Sequence, residues 1–99
     1  HGKFRRQRQM CIRDRSMARN LGPIRFNAIC PGFIQGDWLR KGMGDDLYNA
    51  AKENLTSTTP LKLTVTPEQV ADGIYNFIEI SKVVTGETML MDGGHHLIV

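Results

Sequence analysis

The amino-acid sequence predicts an α/β fold: one end of a doubly wound parallel sheet, with two parallel strands and flanking helices. Three observations predict it: two short apolar segments at 24–29 and 87–91, a helical pattern between them, and turn residues after each segment. Two buried strands joined through a helix form a right-handed parallel unit. Parallel strands need covered faces and neighbours on both edges, so the sequence indicates part of a larger sheet.

Helical and loop segments surround these strands. Residues 16–21 are predicted to be the last turns of a helix, which the Gly-Pro pair at 22–23 ends because proline cannot continue a helix. After the first strand, residues 33–44 contain several glycines and are expected to form a loop. A helix capped by one of two adjacent aspartates is then predicted over about 45–54.

The helix before the second strand carries the strongest local signals. Thr66 can cap it, Pro67 fits its first position, and Glu68 places a favourable charge in its first turn. The helix is predicted to span 67–79. Glycine inside a helix costs roughly 1 kcal/mol relative to alanine, so we expect Gly73 to permit close packing. The apolar face repeats at helical spacing: Val70, Ile74, Phe77 and Ile78.

The loops that follow the two strands are the predicted ligand-binding region. In doubly wound sheets, ligands lie beyond the carboxyl ends of the strands, which here means residues 31–38 and 92–94. The carboxylate of Asp92 is expected to hold the turn through the two glycines that follow it. Large apolar residues after the first strand either line a substrate pocket under a lid or simply anchor the loop.

Composition and cysteine content exclude several classes of protein. No uncharged apolar run approaches the roughly 18 residues of a membrane span, and we expect no secretory signal. Cys11 and Cys30 are too few for a disulfide framework, so a reducing compartment is expected, with Cys30 as a small apolar residue. His95 and His96 have no further ligand at metal-binding spacing, which favours a tail or subunit-contact role over a metal site.

Positive charge is concentrated in residues 1–15, which hold six basic residues and one acidic residue, whereas 16–99 hold seven and nine. A basic segment can bind nucleic acid or anionic lipid, or can be a solvated extension. A third interpretation fits better: one codon choice for Arg5 to Arg15 reproduces the transposon end of a tagmentation adaptor. We therefore expect 1–15 to be a non-native, adaptor-derived leader, disordered or fortuitously helical, in which Cys11 has no evolved role.

Four segments of residues 16–99 together resemble the C-terminal third of a short-chain dehydrogenase/reductase, similar to the 3-oxoacyl-acyl-carrier-protein reductases. They occur in the family's order and spacing: SMARNLGPIR, IRFNAICPGFI, TPLKLTVTPEQVADGIYNFIE and VTGETMLMDGG. The resemblance runs from Ser16 to about Leu97. It implies that residues 16–99 are the C-terminal fragment of an NAD(P)-binding, Rossmann-like domain.

The same resemblance implies site residues. The loop after the first strand is expected to contact the nicotinamide carboxamide of NAD or NADP through its backbone, with glycine allowing close approach. The family often has threonine two residues after the isoleucine of this loop, and Gly36 lacks that hydroxyl. The predicted cofactor-binding residues are Pro31, Gly32, Phe33, Ile34 and Gly36, and the predicted substrate-binding residues are Trp38, Leu39 and Met43.

No catalytic residue is predicted in this sequence. The family's serine, its Tyr-x-x-x-Lys pair and its glycine-rich phosphate loop all precede the segments that match here. Tyr48 and Lys52 have the spacing of the pair and share a helix face, but they follow the Pro-Gly loop instead of preceding it. The sequence therefore favours an ordinary lid-helix face with a solvated lysine.

The expected function is that of a fragment of an NAD(P)-dependent oxidoreductase, which transfers hydride between nicotinamide and a small carbonyl or alcohol substrate. The truncated chain itself is expected to be inactive. The parent enzyme is expected to be a cytoplasmic homodimer or homotetramer without nucleic-acid or membrane partners. The alternative is a non-catalytic binding or assembly module with a basic, nucleic-acid-binding N-terminal arm.

Overall fold

The computed structural model describes residues 12–99. Cys11 and most of the predicted leader lie outside these residues. In chain order the elements are helix α1 (12–20), strand β1 (Ala28–Pro31), helices α2 (Asp37–Met43), α3 (Asp45–Thr58) and α4 (Pro67–Tyr75), a π-helical turn (Asn76–Ile80), strand β2 (Thr88–Met91) and a 3-10 turn (His95–Leu97).

The two strands pair in parallel, which confirms the predicted α/β class. Their register runs from Ala28 opposite Thr88 to Pro31 opposite Met91. Within residues 12–99 the sheet consists of these two strands, so each has one neighbouring strand. That arrangement agrees with the prediction of a partial doubly wound sheet.

The first strand begins later than the predicted 24–29. Side chains replace the regular ladder before it: the Phe26 N–H donates to Thr85 Oγ1, and the Glu87 N–H donates to Asn27 Oδ1. One backbone bond, from the Gly86 N–H to the Phe26 carbonyl at 2.7 Å, lies among these side-chain bonds, and the continuous ladder starts where the Ala28 N–H donates to the Glu87 carbonyl. The apolar, β-branched composition therefore located the strand, but its start was wrong because polar side chains take over the pairing.

Pro31 extends β1 beyond its predicted end at residue 29. The Gly32 N–H donates to the Met91 carbonyl at 3.0 Å, so the nitrogen of Pro31 points to the opposite, unpaired edge. Proline lacks an N–H and is tolerated where that group would face away from the neighbouring strand. Pro31 thus costs the sheet no hydrogen bond.

The predicted loop at 33–44 contains a helix, α2, which corrects that prediction. Gly36 stands at its N-terminal cap and Gly44 at its C-terminal cap, both with positive φ. The glycines that suggested a loop therefore mark the ends of a short helix. Helix α3 also runs past the predicted residue 54, because three hydroxyl side chains near its end donate to helix carbonyls: Thr56, Ser57 and Thr58.

Helix α4 begins as predicted. Thr66 Oγ1 accepts the Gln69 N–H at 3.2 Å, and Gln69 Oε1 accepts the Thr66 N–H at 2.9 Å, which completes a capping box. The predicted close packing at Gly73 is confirmed. A Cβ there would lie 2.5 Å from Met91 Sδ and 3.2 Å from Ile29 Cδ1, so this glycine brings α4 directly onto the sheet.

The end of α4 departs from the prediction, since its last residues form a π-helical turn that ends at Ile80. The Arg25 guanidinium holds this end. Its Nη1 donates to the carbonyls of Phe77 at 2.7 Å and Ser81 at 3.0 Å, and its Nη2 donates to that of Ile78 at 3.1 Å. Carbonyls left unpaired at a helix end thereby find a charged donor.

The core is small. It is centred on the connection between α3 and α4, where Thr59, Thr64 and Val65 are buried, together with Tyr48 from α3. Much apolar surface stays exposed on α4 and the segment that follows it: Ile74, Tyr75, Ile78, Ile80 and Val83.

Candidate functional site

The candidate site lies at the carboxyl ends of β1 and β2, where two loops meet. Gly32 follows β1 and Asp92 follows β2. A Cβ at Gly32 would lie 2.9 Å from the Asp92 Cβ and 3.1 Å from its Cα, so the backbones approach more closely than any side chain at Gly32 would permit. Glycine after β1 is therefore required by packing between the two loops.

A strand-like contact holds the loop after β1 from one side. Ile34 forms a parallel bridge with Val65, in which the Gln35 N–H donates to the Val65 carbonyl at 2.7 Å and the Val65 N–H donates to the Phe33 carbonyl at 3.0 Å. The side chain of Gln35 adds a hydrogen bond from Nε2 to Thr64 Oγ1 at 2.7 Å. This bridge is absent from the predicted elements, although residues 61–65 alternate apolar and polar side chains, the period of a strand.

The bridge also orients the peptide groups of Ile34. In extended chain, successive residues direct their backbone groups to opposite sides. Since the Phe33 carbonyl and the Gln35 N–H both point toward Val65, the N–H and carbonyl of Ile34 itself point away from it. One residue thus presents a donor and an acceptor side by side, the pair that a primary carboxamide can bind.

Tyr48 holds the same loop from α3. Its side chain is 2% exposed, and its hydroxyl oxygen accepts the Gly36 N–H at 3.1 Å. Its ring packs against Phe33 with 5.2 Å between centroids, and the Arg40 guanidinium lies 4.9 Å from the ring centroid. The four-residue spacing between Tyr48 and Lys52 predicts that both lie on one face of a lid helix. It does not predict the contact of Tyr48 with the loop.

A cavity of about 330 Å³ lies between the two loops and the helices. Three of the predicted cofactor residues, Pro31 to Phe33, line it, as does Leu39 of the predicted substrate residues. Trp38 is 87% exposed and is outside the lining, as is the half-buried Met43. The remaining lining residues are Leu55, Thr59, Leu63, Thr64, Val65, Asp92 and His95.

The carboxylate of Asp92 organises the second loop, as predicted. Its Oδ1 accepts the Gly94 N–H at 3.0 Å and its Oδ2 accepts the His96 N–H at 2.9 Å. The ring nitrogen Nδ1 of His96 lies 2.9 Å from Oδ1, a contact the sequence analysis did not foresee. Partial burial would raise the pKa of Asp92, but the hydrogen bonds from the His96 side chain and from both backbone groups together lower it below its ordinary value.

Three further observations concern a metal site, a membrane span and a buried polar atom. Among residues 12–99, no group of three or more His, Cys, Asp or Glu side chains is arranged to hold a metal ion. No helix within the same residues is both long enough and apolar enough to cross a membrane. In this described part of the chain, His95 Nδ1 is a buried side-chain nitrogen without a hydrogen-bond partner.

Parallel strands, a crossover through helices and a site beyond the strands' carboxyl ends define the class: the end of a doubly wound, Rossmann-like α/β domain. A family model described as enoyl-(acyl carrier protein) reductase matches residues 12–96. The chain therefore belongs to the short-chain dehydrogenase/reductase family. The match includes the last residues of the predicted leader, whose adaptor origin stays a prediction.

Curated relatives are about a third identical to the chain over the residues that match. A ketoacyl reductase of the granaticin polyketide synthase of Streptomyces violaceoruber is 35% identical over 85 residues, which are 85% of this chain and 32% of that protein. The NADH-dependent enoyl-[acyl-carrier-protein] reductase FabI of Bacillus cereus is 35% identical over 85 residues, with 83% and 32% covered. The chain thus spans about a third of the length of these relatives.

Solved structures agree with this placement. A small-chain dehydrogenase crystallised with NADPH superposes with a TM-score of 0.79 at 30% identity, covering 89% of this chain and 39% of that one. A short-chain dehydrogenase/reductase of Brucella melitensis gives a TM-score of 0.71 at 30% identity, with 87% and 34% covered.

Proposed function

We propose that this chain forms the nicotinamide-binding and substrate-covering part of an NAD(P)-dependent oxidoreductase that acts on a carbonyl or alcohol substrate. The observation that carries the proposal is the orientation of the Ile34 peptide groups, which point away from the bridge with Val65. A donor and an acceptor fixed at the carboxyl end of a parallel strand suit a nicotinamide carboxamide. Relatives named for NADH and NADPH support the choice of cofactor.

The residues present fit such a cofactor. Ile34 would bind the carboxamide through its N–H and carbonyl, while Gly32 keeps the strand end packed on Asp92 so that the loop holds its shape. When bound, NAD(P)H supplies the hydride. The loop fixes the carboxamide and thereby the orientation of the ring to which it is attached.

Helices α2 and α3 would cover the substrate. The cavity beneath them is lined mainly by apolar side chains, with Leu39, Leu55 and Val65 among them. An apolar enclosure excludes water and strengthens polar interactions made with the reacting group. Leu39 is therefore proposed as a substrate contact, whereas the exposed Trp38 would meet substrate only if α2 moved.

The catalytic groups are proposed to lie upstream of Ser16 in the parent enzyme. The parent is further proposed to be a cytoplasmic homodimer or homotetramer. Exposed apolar side chains on α4 and the following segment support a subunit contact, since Ile78 is 56% exposed and Val83 is 98% exposed.

The test begins with the source DNA. Amplification across the codons before Ser16 should reveal a Tyr-x-x-x-Lys pair in frame, and the complete product should transfer hydride between NAD(P)H and a carbonyl compound. A native reading frame that instead encodes the basic residues 5–9 would remove the adaptor argument and favour a basic binding arm.

The complete enzyme also tests the role of Ile34. The dinucleotide analogue with an acetyl group in place of the carboxamide keeps the acceptor oxygen and loses the N–H donor to the Ile34 carbonyl. We expect it to bind about tenfold more weakly, the effect of losing one hydrogen bond of about 1.4 kcal/mol. Equal binding of the two dinucleotides would refute carboxamide recognition by this loop.

A further inference from the structure

Tyr48 is the feature that the proposed function leaves unexplained. It is the one buried residue of α3, and α2 has no buried residue. The position of this helix pair over the cavity therefore depends strongly on Tyr48, because the other inward side chains, such as Leu39 and Leu55, are only half-buried. No other apolar side chain of α3 is buried to share this role, and Leu47, next to Tyr48 in the sequence, is 58% exposed.

The partners of Tyr48 all belong to one short loop or to α2. The hydroxyl oxygen accepts the Gly36 N–H, and the ring packs on Phe33. These two residues flank Ile34 and Gln35, whose opposite side is held by Val65. The loop is therefore held at two places, by a backbone bridge to Val65 and by the side chain of Tyr48.

We propose that Tyr48 is a positioning residue that couples the covering helices to the nicotinamide-binding loop. This inference rests on the proposed function, and in it Tyr48 is the common anchor of the loop and the helices. By fixing Gly36 and Phe33, Tyr48 limits rotation of the peptide groups of Ile34. The position of α2 and α3 and the presentation of the carboxamide-binding groups are thereby linked through one side chain.

Replacing Tyr48 with phenylalanine removes the hydroxyl and retains the ring. In the isotope-labelled 99-residue chain, the Gly36 N–H should exchange with solvent about fivefold faster in Tyr48→Phe, equivalent to about 1 kcal/mol. The Gln35 N–H, bonded to Val65, should keep its exchange rate. Tyr75→Phe is the matched control, because this second tyrosine is 58% exposed on α4 and should change neither amide.

Nicotinamide itself serves as the probe of function. Its carboxamide should shift the Ile34 amide resonance in the wild-type chain and in Tyr75→Phe, and the dissociation constant should rise about fivefold in Tyr48→Phe. Phe33→Leu removes the ring contact from the loop side and should weaken the same response. This second variant keeps the proposal open to refutation if Tyr48→Phe does not fold.

The outcomes separate the two hypotheses. A wild-type response that is equal in Tyr48→Phe and Phe33→Leu would overturn the role of Tyr48 and leave the carboxamide site standing. Faster exchange throughout α3 and at Gln35 would also overturn it, because Tyr48 would then be a general structural anchor. Absence of any Ile34 response in the wild-type chain would refute both proposals.

Discussion

Replacing Gly32 with alanine tests how tightly the two loops of the site are packed. The added Cβ would lie 3.1 Å from the Asp92 Cα, a backbone atom that cannot rotate away. Carbon atoms in favourable contact are about 3.5–4.0 Å apart, so the ends of β1 and β2 must separate. The hydrogen bond from the Gly32 N–H to the Met91 carbonyl, now 3.0 Å, would lengthen as they do.

The expected loss follows from two opposing effects. Overpacking costs about 2 kcal/mol, whereas exchanging glycine for alanine restricts the unfolded chain and stabilises by roughly 0.7 kcal/mol. Gly32 is absent from the glycines with positive φ, so no backbone strain is added. We expect the free energy of unfolding to fall by about 1 kcal/mol and the melting midpoint by about 5 °C.

Urea and thermal unfolding of Gly32→Ala measure this loss, with Gly42→Ala as the matched control. A Cβ at Gly42, inside α2, meets no atom within 4 Å, so alanine there should stabilise by up to about 1 kcal/mol. If Gly32→Ala were as stable as the wild-type chain while Gly42→Ala behaved as expected, the close approach of Gly32 to Asp92 would not constrain the site.

Five further outcomes are expected. The lowered pKa of Asp92 contributes stability above its ordinary value near 3.8 that is lost as pH falls through the lowered pKa, so Asp92→Asn should reduce the difference between urea midpoints at neutral and strongly acidic pH. Arg25→Met should lower the free energy of unfolding by about 2 kcal/mol, and the same change at the exposed Arg19 should leave it almost unchanged. The purified chain should not oxidise NADPH with a simple ketone; turnover would direct attention to Tyr48. Because β1 has one neighbouring strand in the sheet, sedimentation should detect self-association, and a monomer at all concentrations would contradict this expectation. Deletion of residues 1–15 should barely alter thermal unfolding, and a large loss of stability would contradict that expectation.

The start of α4 was predictable because its determinants lie within four residues of one another. Thr66, Pro67 and Gln69 interact locally, and their order in the sequence is enough to indicate the cap. Packing of Gly73 on the sheet was predictable for a similar reason, since glycine is costly in a helix without a purpose.

The contacts of Tyr48 and Val65 could not be predicted in this way. Tyr48 reaches Gly36 across twelve residues, and Val65 reaches Ile34 across a longer separation. Both contacts join elements that are separate in the chain, Tyr48 in α3 with the cap residue Gly36 and Val65 with Ile34, so no local periodicity reveals them. The Pro-Gly motif therefore located the loop after β1, for which cofactor binding stays a prediction, whereas the groups that hold the loop in place emerged only from tertiary structure.

The bridge between Ile34 and Val65 joins the two ends of the segment that contains α2 and α3. The chain leaves the sheet region after Gln35 and returns at Thr64, and two backbone hydrogen bonds of 2.7 and 3.0 Å hold these ends together without any side chain of α2 or α3. Doubling the length of a closed loop costs only about 0.6 kcal/mol. Helices of other lengths and sequences can thus be exchanged between these ends at little cost in closure, provided that they return a tyrosine to Gly36 as α3 does.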